Sequence, residues 1–519
     1  MQGAIAAGHP LTAAAGARVL AEGGNAVDAC VAAAFAGWVV ESPLTGPGAG
    51  GFALVVPADG RPPQVADFFV ATPGLGRPEE PGADMHAIDV GFGGDSETTQ
   101  IFRIGEASCA VPGSVAGLEA LHAAYGRLAW ADLAAPAIEL ARDGFVLSRP
   151  QAHLHAILDL ILRHSAEGRR IYSRADGSRL QPGDTLRLPD LAETLELLAA
   201  GGARAFYEGE LAARIASTVA VGGGTLTRDD LAAYEAVWRE PVQVDYLGYE
   251  VVSNPPPSSG GILIAYGLAL LERLGAGRAG SVEAIEALAG VMGEQARVRD
   301  DAFAAALYTG GIEERLLSPA GIDAGLGRIE SAGAAEPAPP GGTTHVSAVD
   351  ADGNAASLSS STGSGSGVIV PGTGIHLNNM LGEYDLIADD PAAPGRRLTS
   401  MMAPTVVRGP DGPRLVVGSA GSVRLRGAIM QVIVNVVAHG LKVAEAIDAP
   451  RIHFEAPYVH CEGGFAPSEL DRLEERGRKV VRWRRHNLYF GGTNAVEVRD
   501  GELAAAGDPR RGGDGVVVT

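Results

Sequence analysis

Cysteine is scarce in this chain: Cys30, Cys109 and Cys461 stand far apart. Three scattered thiols neither staple a fold nor show metal-ligand spacing, so a disulfide scaffold and a zinc module are excluded. Basic charge is also in deficit, with 41 Lys and Arg against 62 Asp and Glu for a formal net charge of −21. That balance opposes generic binding to nucleic acid or to anionic membranes. Long apolar runs are missing too. The most apolar early stretch, Ala29 to Val40, is bounded by Asp28 and Glu41 and falls short of the roughly 20 residues that span a bilayer. The start, Met1-Gln2-Gly3-Ala4-Ile5, shows no basic segment leading into an apolar one, so a cytoplasmic location is expected. Neither a G-x-S-x-G elbow nor a G-x-x-x-x-G-K-[ST] loop occurs, which removes the main support for a serine hydrolase or a P-loop NTPase.

What is present is ample core material: 519 residues, 46% of them hydrophobic and 20% charged. Such a chain folds into a soluble globular body, and length alone sets a soft prior of about three domains. Glycine is frequent, at 72 residues, without a collagen period, which predicts many tight turns and close backbone approaches. Helical periodicity marks Leu11 to Glu22, Ala26 to Val40, Val115 to Ala124, Trp130 to Asp143, Leu191 to Ala199, Gly209 to Val219 and Ile262 to Leu274. Strand-like runs are Gly51 to Val56, Val242 to Val252, Thr344 to Val349, Asn354 to Ser361, Arg414 to Val417 and Thr493 to Val498. The class is therefore mixed, α/β or α+β. Ser331 to Gly342 is rich in Pro, Gly and Ala and reads as a linker.

Several motifs carry less than they suggest. Gly46-Pro47-Gly48-Ala49-Gly50-Gly51 matches G-x-G-x-x-G, but a helix precedes it and a strand follows, the reverse of a dinucleotide site, so a Gly-rich wall is expected. His153 and His155, two apart in a helix, face different sides, so no shared metal is expected and they read as ordinary structural histidines. The basic run Arg476 to Arg485 around Trp483 suits a strand with one solvated face better than a nucleic-acid site.

Gly341-Gly342-Thr343-Thr344-His345 is different. It places a threonine where a Gly-rich loop enters a strand, a geometry in which the hydroxyl can attack the preceding carbonyl. Cleavage there makes Thr343 a new N-terminus, whose α-amino group, with pKa about 7.7–8.0, accepts the hydroxyl proton near neutral pH. Pattern alone is equally satisfied by a Thr-Thr pair that merely starts a β-strand, and favours it.

The surrounding residues resemble the γ-glutamyltranspeptidase family. The resemblance rests on Thr343-Thr344-His345, Asp350-Ala351-Asp352-Gly353-Asn354 and Gly374-Ile375-His376-Leu377-Asn378-Asn379. It extends through Glu22 to Asp28, Pro112 to Gly117, Leu140 to Gly144, Pro255 to Gly261, Ala403 to Thr405 and Asp508 to Arg510, nearly the whole chain. It implies an N-terminal-nucleophile hydrolase of α+β class, a four-layer αββα sandwich made as one precursor cut between Gly342 and Thr343. The fragments 1–342 and 343–519 then form one interlocked heterodimer. Thr343 attacks a γ-amide such as glutathione, and water or an amine accepts the acyl group, with no cofactor or metal. Ser361 is similar to a family threonine that assists the nucleophile. Gly421 and Ser422 match paired glycines whose backbone N–H groups hold the oxyanion.

The substrate pocket departs from the family pattern. Phe69 stands where an arginine normally binds the glutamyl α-carboxylate, Gly363 replaces an Asn, Met380 a Glu or Gln, and Met401 the second Ser of a pair. Glu383 keeps an acidic charge and Ser400 the first serine. The retained carboxylate can still pair with a substrate ammonium group, whereas the lost polar partners imply an acyl group less charged or differently placed than γ-glutamyl, with Phe69, Met380 and Met401 as apolar contacts. The readings are thus a self-processing γ-glutamyltransferase-like enzyme, an acylase for a glutaryl or cyclic amide, or an unprocessed homologue that only binds a small molecule.

Overall fold

The computed structural model describes residues 2–77, 83–91, 99–330, 342–383, 393–421 and 424–519. Two antiparallel sheets dominate it. The first has seven strands in the order Asp514–Val518, Gly3–Ala7, Thr344–Asp350, Ala355–Ser361, Gly50–Val56, Gln64–Phe68 and Val237–Arg239. The second has six: Glu502–Ala506, Gly492–Arg499, Gly412–Ala420, Thr405–Gly409, Tyr249–Ser253 and Val242–Tyr246. Both sheets contain strands from before and after Gly342, and in the first Gly3–Ala7 lies between two strands from after it, so neither stretch completes a sheet alone.

The two-residue period of a strand sends alternate side chains to opposite faces. Ile5, Ala7, Ala53 and Val55 join a core formed with the Pro10–Ala21, Ala26–Val40 and Trp130–Asp143 helices. Ala4, Ala6, Phe52, Leu54 and Val56 join a second core with the other sheet and the Gly260–Leu274, Val282–Arg297 and Leu425–Val437 helices. The layers are helices, sheet, sheet, helices: the expected αββα sandwich.

Local chemistry explains several of the sequence motifs. Asn25 and Asp28 form a reciprocal capping box at the start of the fully buried Ala26–Val40 helix. Asp350 accepts from the backbone N–H groups of Asp352 and Asn354 in its own turn, each at 3.0 Å, and from that of Ala26 at 3.0 Å. A turn that follows Thr343 thereby caps a helix that precedes it. The Gly46 to Gly51 wall is real: a Cβ at Gly48 would lie 2.4 Å from the His376 carbonyl oxygen, and one at Gly51 2.2 Å from that of Ser359. Asn378 pins this wall, donating to Gly48 O at 2.9 Å and Ala110 O at 3.0 Å.

Two expectations need correction. Val242 to Val252 is a hairpin of two strands, because Leu247 (φ 50°) and Gly248 (φ 83°) turn the chain back. The helices Val282–Arg297 and Leu425–Val437 are additional to the helical segments named from the sequence. The basic run is neutralised where Arg476 pairs with Glu283 and Glu286 and Arg482 with Asp471 and Glu474. Residues 331–341 of the expected linker lie outside the described residues. Among the described residues, no helix is long and apolar enough to cross a membrane.

Candidate active site

Thr343 sits at the junction of Gly342 and the Thr344–Asp350 strand and is buried. That strand is held between two others, paired with Gly3–Ala7 and with Ala355–Ser361 in fixed register, Thr344 opposite Ser360. Ser361 ends the neighbouring strand, and its hydroxyl donates to the Gly342 carbonyl while accepting the Gly363 N–H at 2.9 Å. A two-bond relay thus runs from backbone N–H through a hydroxyl to the carbonyl on which Thr343 would act.

Gly363 lies at φ +70°, and a Cβ there would meet Asn379 Oδ1 at 2.2 Å and Glu383 Oε1 at 2.9 Å. Those two oxygens accept the Ser364 N–H at 2.9 and 3.1 Å. The space of the expected Asn side chain at 363 is therefore taken by Asn379 and Glu383. Gly342, Ser361, Gly363 and Glu383 form one contiguous group beside Thr343.

The remaining pocket positions lie deeper. Phe69 is stacked on Phe52 with ring centroids 5.4 Å apart. Phe69, Met380 and Met401 share the core between the sheets. The Met401 sulfur lies 3.3 Å from Ser259 Oγ and 3.7 Å from Arg426 Nη1. Ser400 Oγ accepts the Met402 N–H at 3.0 Å, and the Ser400 carbonyl takes the Ser259 N–H at 2.7 Å.

Gly421 ends the Gly412–Ala420 strand at φ +131°, where a Cβ would meet Gly491 Cα at 3.1 Å and Arg511 Nη2 at 3.7 Å. Arg511 in turn donates through Nη1 to the Thr343 carbonyl at 3.5 Å. Gly421 is thereby brought to the nucleophile's side through a shared neighbour. Ser422 lies outside the described residues.

A cleft opens at Thr343, lined among others by Val40, Glu41, Leu44, His155, Leu488 and Arg511. None of Phe69, Gly363, Met380, Glu383, Ser400 and Met401 lines it. Glu41 accepts hydroxyl hydrogen bonds from Thr12 at 2.8 Å and Thr344 at 2.6 Å, and burial pushes its pKa up. His153 and His155 are lining residues as well, a role that helical spacing alone did not suggest. Burial lowers His155 to about 4, and no His, Cys, Asp and Glu cluster among the described residues suits a metal. His345, although next to the threonines, is sealed between the sheets, 2.8 Å from Ser359 Oγ and 2.9 Å from Ser347 Oγ, and burial drives it down to about 3. It is neutral scaffold.

Glu41 and Arg511 were missed in the sequence. Glu41 bounded an apolar run and Arg511 followed Asp508-Pro509-Arg510, which was the only local signal for either.

Comparison with known proteins agrees with this fold. The family model described as Gamma-glutamyltranspeptidase matches residues 12–518. The glutathione hydrolase proenzyme of Escherichia coli (strain K12) is 33% identical over 545 residues, covering 98% of this chain and 90% of that protein. The acylase ACY 1 proenzyme of Pseudomonas sp. (strain V22) is 33% identical over 548 residues, covering 100% of this chain and 94% of that protein. The crystal structure of cephalosporin acylase from Bacillus halodurans matches with a TM-score of 0.83 at 26% identity, covering 99% of this chain and 96% of that one.

Proposed function

The chain belongs to the gamma-glutamyltranspeptidase family, and from that premise we propose that it is a self-processing amide hydrolase or acyltransferase acting through Thr343. The observation that carries this reading is the Ser361 hydroxyl bound to the Gly342 carbonyl, backed by the Gly363 N–H. In processing, Thr343 Oγ attacks the Gly342 carbonyl carbon and the oxygen gains negative charge opposite the Ser361 hydroxyl. The C–N bond breaks, leaving Gly342 as an ester on Oγ and freeing the Thr343 α-amine. Water then hydrolyses the ester. The products are fragments of 342 and 177 residues that stay together because their strands interleave.

In turnover the freed amine, with pKa about 7.7–8.0, takes the proton from Oγ as it attacks a substrate amide. The tetrahedral oxyanion is held by backbone N–H at Gly421 and the following residue, Ser422. The amine half leaves with the proton, and water or a second amine releases the acyl group. Two steps through one covalent intermediate give ping-pong kinetics.

The acyl donor is a γ-glutamyl or similar side-chain amide, glutathione among them. A glutaryl-type acylase is the second reading, favoured by Phe69: the position of the carboxylate-binding arginine holds a ring buried against Phe52. Two assays test these readings. Purified wild-type protein resolves on denaturing gels into two fragments, whereas Thr343→Ala stays whole at 53.0 kDa; a wild-type chain that never splits refutes self-processing. Glutaryl anilide is hydrolysed at least as fast as L-γ-glutamyl anilide if the loss of the clamp matters, and a strong glutamyl preference refutes the second reading.

A further inference from the structure

Arg511 faces its acidic neighbours, Asp508 and Glu41, only at a distance. Its guanidinium lines the cleft at Thr343 and is half-buried. Among the described residues no carboxylate lies within 4.0 Å of it, and its Nε has no hydrogen-bond partner. The adjacent cations have contact ion pairs, Arg510 with Glu462 and Asp508 and Arg451 with Asp508 at 2.7 Å, although Arg451 Nε, like Arg511 Nε, has no hydrogen-bond partner among the described residues. Glu41, the one carboxylate lining the cleft, has each oxygen occupied by a threonine hydroxyl. A half-buried cation without a contact ion pair keeps hydrogen-bonding capacity for an incoming anion.

The cation is also held in place. The 508–513 turn is tied by the Arg511 and Gly513 N–H groups donating to the Asp508 carbonyl at 3.2 and 2.9 Å. The Arg511 stem fills the space a side chain would need at Gly492, where a Cβ would lie 2.3 Å from Arg511 Cδ. The guanidinium is thereby aimed at the Thr343 carbonyl with little freedom left, which is how a preorganised anion contact is built.

Acyl transfer places the two halves of the amide on opposite sides of the attacked carbonyl. The acyl-side positions Phe69, Gly363, Met380, Glu383, Ser400 and Met401 are all absent from the cleft wall. Building on the reading of Thr343 as nucleophile, we infer that the cleft receives the amine half of the substrate or acceptor and that Arg511 pairs there with a carboxylate carried by that amine. Val40, Leu44, Leu154 and Leu488 give the wall an apolar surface for its carbon skeleton. The ligand class is an amino acid, peptide or other aminocarboxylate. Carboxylate recognition, missing from position 69, reappears on the leaving-group side.

The test uses paired donors with one acyl group and either 4-aminobenzoate or aniline as the amine, run for both γ-glutamyl and glutaryl series. Wild type favours the 4-aminobenzoate donor in kcat/KM by about tenfold to a hundredfold, the range of one charge-assisted pair. Arg511→Gln brings that ratio close to one, and Arg511→Lys keeps part of it. Free 4-aminobenzoate and aniline are titrated calorimetrically into wild type and Arg511→Gln, a readout that needs no turnover. A wild type without preference for the carboxylate, or an Arg511→Gln that keeps it, overturns the inference. Tight 4-aminobenzoate binding lost in Arg511→Gln, but without turnover of any donor, supports the site and refutes the proposed activity instead.

Discussion

Replacing Ser361 with alanine removes one hydroxyl and leaves two backbone groups without it, the Gly342 carbonyl and the Gly363 N–H. Both sit in a region where Ser361 and Thr343 are buried, so water replaces the lost bonds poorly. Each orphaned group costs about 1–3 kcal/mol of folded stability, a sizeable share of the roughly 5–15 kcal/mol by which folded proteins are stable. The kinetic effect is the informative one. Removing a donor aimed at a developing oxyanion slows acyl chemistry by about 10²–10³-fold, or about 2.7–4 kcal/mol. Because this bond already exists before attack, only its strengthening lowers the barrier, which places the expected loss at about 10²-fold. The assay is the time course of precursor conversion followed by intact mass, with circular dichroism to show that the variant is folded. Ser361→Thr keeps the hydroxyl and cleaves near the wild-type rate. A folded Ser361→Ala protein that matures within threefold of wild type refutes the role given to this hydroxyl.

Acid lability follows from three buried histidines: burial lowers His345 to about 3 and His155 and His376 to about 4 from an ordinary 6.5. Depressed values mean that the unfolded chain takes up protons first, so their stabilising share is present above pH 6.5 and is lost as pH falls towards 4, by about 1.4 kcal/mol per pH unit for each; denaturant midpoints at pH 5 and 7.5 measure it, and equal midpoints refute it. Glu41 has the opposite sign, since burial raises it above an ordinary 4.5: its contribution is present below pH 4.5 and is lost as pH rises through the folded value. Glu41→Gln therefore gains stability relative to wild type between pH 4.5 and 7.5, and a difference that is flat with pH contradicts this. Gly363→Asn puts a Cβ 2.2 Å from Asn379 Oδ1 at φ +70° and lowers stability by at least about 1–3 kcal/mol in chemical denaturation; wild-type stability in that variant shows that Asn379 and Glu383 yield readily.

How much was legible depended on whether the signal was local. The Ala26–Val40 helix was read to its ends because its cap, Asn25 with Asp28, lies within three residues of chain. The 242–253 hairpin was read as one strand because its turn uses Leu247 at φ 50°, a residue that does not announce a positive φ as Asn or Asp does. The Gly46 to Gly51 wall was legible as a wall, but the backbone it approaches, at His376 and Ser359, was not.

The sequence by itself determined the family and the threonine at the loop-to-strand junction through contiguous motifs, and the sandwich only through what that resemblance implies; periodicities of 2 and 3.6 residues marked a mixed α and β class and no more. Only the tertiary structure decided what surrounds that threonine. Arg511 reaches Thr343 across 168 positions, and Thr344 reaches Glu41 across 303. No local pattern encodes such meetings. They exist because strands from both sides of Gly342 share the same two sheets, and a sheet fixes its neighbours by register whatever the length of chain between them.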